Sequence, residues 1–125
     1  MIEIELTVPS DCDFGPVASR IDRIISNSQL RITLRGSLAS YPGCTHWHTK
    51  MENHKGALEI TSFPRDRRVW LKVQSGRNGP WIEPAAAELK RAIERELRAS
   101  VEIPLKQRDA LRVKRKMAFT STKRR

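Results

Sequence analysis

The chain carries only two cysteines, Cys12 and Cys44, and they form no Cys-x-x-Cys pair. Two thiols exclude the disulfide scaffold on which many small secreted domains depend and suit a reducing compartment. No stretch approaches the ~18 uncharged apolar residues of a membrane-spanning helix, so no membrane partner is expected. The opening residues, MIEIELTVP, hold acids where a secretory signal would place basic residues followed by an apolar stretch, and the location expected is the cytoplasm. Catalytic signatures are missing as well. There is no Gly-x-Ser-x-Gly elbow, no phosphate loop ending in Gly-Lys-Ser or Gly-Lys-Thr, and no Gly-x-Gly-x-x-Gly fingerprint.

Positive charge is plentiful but unevenly placed. The chain holds 24 Lys plus Arg against 14 Asp plus Glu. Residues 106–125 alone contain nine basic side chains, among them Lys114, Arg115 and Lys116, against the single acid Asp109. The other 105 residues are almost balanced, with fifteen basic against thirteen acidic side chains. The chain therefore divides into one domain over 1–105, a length that suits a single modest core, and a basic, disordered tail over 106–125. Such an arm attracts nucleic acid through counterion release and without sequence preference.

Within the domain, hydrophobic periodicity separates strands from helices. Ile2, Ile4, Leu6 and Val8 alternate with polar residues and predict a first strand that ends at Pro9. Phe14, Val17, Ile21, Ile24 and Ile25 share a helical face, predicting a helix over 14–26 that Ser10, Asp11 or Asp13 would cap. Four alternating segments follow, around Leu30–Arg35, Cys44–Met51, Ala57–Phe63 and Arg68–Gln74, with a turn expected at Pro42-Gly43. Ile82, Ala85, Ala86, Leu89, Ala92 or Ile93, and Leu97 mark a second helix. The predicted fold is α+β in the order β-α-β-β-β-β-α, a two-layer sandwich in which both helices cover one face of a mostly antiparallel sheet. Periodicity does not say where the first strand enters the sheet.

The other face then has no cover, and its residues stand out. Arg31, Arg35, His46, His48, Phe63, Arg68, Trp70 and Lys72 all point outward if the apolar sides point inward. Flat aromatics among cations suit stacked bases with guanidiniums on phosphates, and they suit a protein partner or a second copy equally well. Arg77, in the loop Ser75–Trp81 between two glycines and ahead of a helix N-terminus, adds a candidate anion contact, against the plainer reading of an ordinary turn. These features predict a small non-catalytic binding module that contacts a protein or nucleic-acid partner, with the tail adding nonspecific attraction.

One different reading rests on Cys44, His46 and His48, which alternate along one strand with side chains ~6–7 Å apart. They are the residues on which a metal-assisted or thiol-dependent small enzyme would be built. Zinc needs three or four ligands in tetrahedral array, and this strand supplies at most three with no Cys-x-x-Cys or His-Glu-x-x-His partner elsewhere. Accordingly neither a metal nor another cofactor is expected, and no residue is assigned a catalytic role.

Overall fold

The computed structural model describes residues 1–101 of the chain. The predicted order is found: strand β1 (Ile2–Glu5), helix α1 (Val17–Ser26), strands β2 (Leu30–Leu38), β3 (Tyr41–Met51), β4 (Leu58–Phe63) and β5 (Arg68–Val73), and helix α2 (Ile82–Ala99). The sheet is antiparallel throughout, in the order β1-β5-β4-β3-β2. The four middle strands form a meander because each link is short. β1 pairs with β5, Ile2 opposite Val73 and Glu5 opposite Trp70, so the first two strands lie at opposite edges and α1 connects them.

The core lies between the sheet and the helices. Val17, Ile21 and Ile25 of α1 and Ile82, Leu89, Ile93 and Leu97 of α2 join Trp47, Leu58, Ile60, Val69, Leu71 and Val73 in one buried cluster. Both helices therefore cover the same face, as the single apolar side of each strand requires. α2 also ties down the segment after β1, where the Thr7 backbone N–H donates to Glu94 Oε2 at 2.8 Å.

Three local expectations are corrected. The helix begins at Val17 rather than 14, and its N-cap position is Pro16, with no side-chain cap. Asp13 instead accepts the Gly15 N–H at 3.0 Å, a short-range turn that bends the chain before the helix starts. The hairpin between β2 and β3 turns at residues 39–40, with Leu38 opposite Tyr41, so Pro42 and Gly43 belong to β3. The earlier turn makes Tyr41 the first residue of β3.

The third correction concerns Arg35. The β2–β3 register shifts between Ile32 and Leu34, with Ile32 opposite Thr49 and Leu34 opposite His48. A bulge adds one residue to a strand and so reverses the side on which every later residue points. Arg35 consequently lies opposite Trp47 on the helix side and pairs with Asp22 of α1, while Leu34 takes the outer face and is 50% exposed.

Candidate functional site on the outer sheet face

Strand register lays the outer face out in rows. One row runs Glu3, Lys72, Glu59, His48 and Leu34 from β1 to β2, and the next runs Glu5, Trp70, Thr61, His46 and Gly36. The side chains in these rows are cross-strand neighbours, the distance at which pairs on a sheet interact.

At one end the face builds a second small core. Cys44, Phe63 and Trp70 are buried together, with Leu38 and Tyr41 packed against them. Tyr41 meets Phe63 edge to face at 5.3 Å and Trp70 at 5.1 Å between ring centroids. Arg68 lies 4.3 Å over the Trp70 ring while its guanidinium makes two hydrogen bonds, of 2.9 and 2.8 Å, to Glu5. Hydrogen bonding to Arg68, helped by its charge and opposed by burial, holds the Glu5 carboxyl below its ordinary range. The expectation that Trp70 and Phe63 are open contact residues is thereby corrected: they are 3% and 4% exposed. Any base or partner stacking on Trp70 would first have to displace Tyr41 and Arg68. Cys44 is buried in this aromatic cluster, its Sγ facing the Leu38 N–H at 3.3 Å, and takes no place beside the histidines as a nucleophile or ligand.

The middle of the face is polar and nearly closed. His46, Glu59 and Thr61 are all buried, and His48 is half-buried. The Nε2 atoms of His46 and His48 approach to 3.0 Å, with their rings nearly perpendicular. Glu59, directly across from His48 in the β3–β4 ladder, brings Oε1 to 3.4 Å from His46 Nε2 and Oε2 to 3.8 Å from His48 Nε2. On its far side His46 Nδ1 shares a 2.7 Å hydrogen bond with Thr61 Oγ1, which fixes the ring plane. Burial drives the His46 pKa down, against the pull of Glu59 and aided by the charges of His48 and Lys72.

The remaining candidate residues are dispersed. Arg31 pairs with Glu52 at 3.2 Å in the open, and Lys72 is half-buried between Glu3 and Glu59 in register. Arg77 is exposed, but its loop is a packed turn. The Arg77 carbonyl accepts the Ala57 N–H, and the buried Trp81 donates its indole N–H to Lys55 O at 2.7 Å. The glycines there serve loop-to-loop contact: a Cβ on Gly56 would come within 2.8 Å of Arg77 O, and one on Gly79 within 2.6 Å of Lys55 O. Lys114, Arg115 and Lys116 lie outside the described residues, as does the whole segment 106–125.

Glu59 lies on the outer face but is not among the candidate residues that the sequence singles out. The alternation in ALEITSF was enough to put it there, but its seat against His48 depends on a register that no local pattern encodes. Among the described residues no helix is long and apolar enough to cross a membrane. Comparison with known protein families, with curated proteins and with solved structures finds no match for the chain.

Proposed function

We propose that the chain is a non-catalytic binding module whose basic segment 106–125 engages a nucleic-acid partner through its phosphates. The observation that carries this reading is the distribution of charge. Nine basic residues stand against one acid in those twenty positions, whereas many cations of the folded body are already matched: Arg20 with Glu96, Arg31 with Glu52, Arg35 with Asp22, Arg68 with Glu5 and Lys90 with Glu94. A cation held by a carboxylate offers little to a phosphate, so attraction for a polyanion concentrates in the terminal segment, with Lys72 and Arg77 as secondary contacts.

Fluorescence anisotropy of a labelled DNA duplex, titrated with protein at several salt concentrations, tests the proposal. The triple change Lys114→Ala, Arg115→Ala, Lys116→Ala should lower the slope of log affinity against log salt by about 2–3, since each phosphate contact contributes roughly 0.9. An unchanged slope and affinity would show that Lys114, Arg115 and Lys116 make no phosphate contact, and an absence of binding by the parent chain would refute the proposal.

A second reading, self-association, draws on the sheet edges. Ile2 on β1 and Leu34 on β2 are exposed at 46% and 50%, each on an edge strand with an open row of backbone groups. Sedimentation across a range of protein concentrations distinguishes this from a monomer that binds only polyanions.

A further inference from the structure

We propose that His46, His48 and Glu59 are the ligands of a divalent transition-metal ion, zinc in the first instance, held on the outer face of the sheet between β3 and β4.

The first argument is that the Glu59 carboxylate is held by no lysine or arginine of the described residues at ion-pair distance. Its side chain is 8% exposed, yet among the described residues the groups that approach its carboxylate as ion-pair partners are the two imidazoles, with no lysine or arginine within 4.0 Å. By contrast Glu5 of β1 and Asp22 of α1 each hold an arginine by two hydrogen bonds. A buried carboxylate without such a partner is costly, and a bound cation supplies the missing charge.

The second argument is geometric. Zinc lies ~2.0–2.1 Å from imidazole nitrogen and carboxylate oxygen, which sets neighbouring donors of a tetrahedron about 3.3–3.4 Å apart. The two imidazole Nε2 atoms stand 3.0 Å apart, Glu59 brings Oε1 to 3.4 Å from one and Oε2 to 3.8 Å from the other, and one ligand atom from each of the three residues lies within 4.8 Å of the other two. His46 and His48 reach the point from one strand because residues two apart share a face, and Glu59 reaches it from the adjacent strand because it is the register partner of His48.

The third argument is the support behind the ligands. In the ligating tautomer His46 donates Nδ1–H to Thr61 Oγ1 and turns its Nε2 lone pair toward Glu59, the outer-shell arrangement that orients metal-bound histidines. The half-buried His48 leaves a path from solvent, and three protein ligands leave a fourth position for water. Lys72 of β5 is the register partner of Glu59 on its other side, and its amine does not come within 4.0 Å of the carboxylate.

The test uses the full chain, stripped with a chelator and titrated with Zn(II) by calorimetry and with Co(II) by visible absorption. One ion per chain is expected, with the intense cobalt bands of low coordination number and a rise in melting temperature on adding zinc. His48→Ala and Glu59→Gln should each lower affinity at least about tenfold, and Thr61→Val by about 10- to 100-fold, as loss of an outer-shell partner does. Glu59→Gln keeps the side-chain shape while removing a buried charge, so its metal-free form should melt no lower than the parent while a given zinc concentration raises its melting temperature less. Cys44→Ala and His54→Ala, outside the cluster, should bind zinc as the parent does. The proposal is overturned if the folded parent takes up neither ion stoichiometrically, if uptake survives both His48→Ala and Glu59→Gln, or if it is lost in His54→Ala.

Discussion

Arg35 of β2 grips Asp22 of α1 through two hydrogen bonds of 2.9 Å, Nε to Oδ1 and Nη2 to Oδ2, and so fastens a helix to the edge of the sheet. The same carboxylate accepts the indole N–H of the fully buried Trp47 at 2.7 Å. Asp22 thus serves the strand edge and the core together.

This contact predicts an acid sensitivity. Burial alone would raise the Asp22 pKa, but hydrogen bonds from Arg35 and Trp47, with the guanidinium charge, outweigh it and hold the carboxyl below its ordinary range. A carboxyl with a depressed folded pKa stabilises the fold at pH values above its unfolded pKa, about 3.9, and that contribution is lost as pH falls through the lower folded value. Asp22→Asn should therefore reduce stability at pH 7 and leave it nearly unchanged at the acid end of that window. Asp22→Ala should cost more at neutral pH, about 1–3 kcal/mol, because the Trp47 N–H is left unsatisfied in the interior. Urea unfolding of the three proteins at both pH values checks the pattern, and equal losses at both would contradict it.

The aromatic cluster on the outer face makes a second prediction. Trp70 is enclosed by Tyr41, Phe63 and Arg68, so Trp70→Ala should destabilise the protein by about 3–5 kcal/mol, the range for emptying a core aromatic site. A denaturation midpoint close to that of the parent would mean that this face is open and Trp70 available to a partner.

Loop packing supplies the third. Gly56 has φ +104° and no room for a Cβ against Arg77 O, so Gly56→Ala should cost about 1–3 kcal/mol, as forced backbone strain does. Gly79→Ala should also be destabilising, through its clash with Lys55 O. Gly36→Ala, where a Cβ meets nothing within 4 Å, should be close to neutral or stabilising. Thermal melts of the three variants decide this, and equal effects at 36 and 56 would remove the argument from close approach.

Much of the architecture was legible because it depends on local repetition. Alternation along Cys44–Met51 put Trp47 and Thr49 on the helix side and His46 and His48 on the other, and the structure has them there. The stripe from Ile82 to Leu97 named the buried face of α2, and of the two neighbours it left open, Ala92 and Ile93, the structure buries Ile93. In each case side-chain direction follows from the backbone period of a single element.

What depended on the meeting of distant segments was left to the tertiary structure. A bulge near Thr33 moved Arg35 to the helix side, and a hairpin turn at 39–40 brought Tyr41 over Trp70. Register alone seated Glu59 between two histidines, and the edge position of β1 came from its pairing with β5. The sequence by itself determined which residues share a face along each uninterrupted stretch of strand or helix, because that is a short-range steric property. The tertiary structure decided which faces meet, at what register and under what cover, because those choices rest on packing and backbone pairing between segments that no local pattern relates.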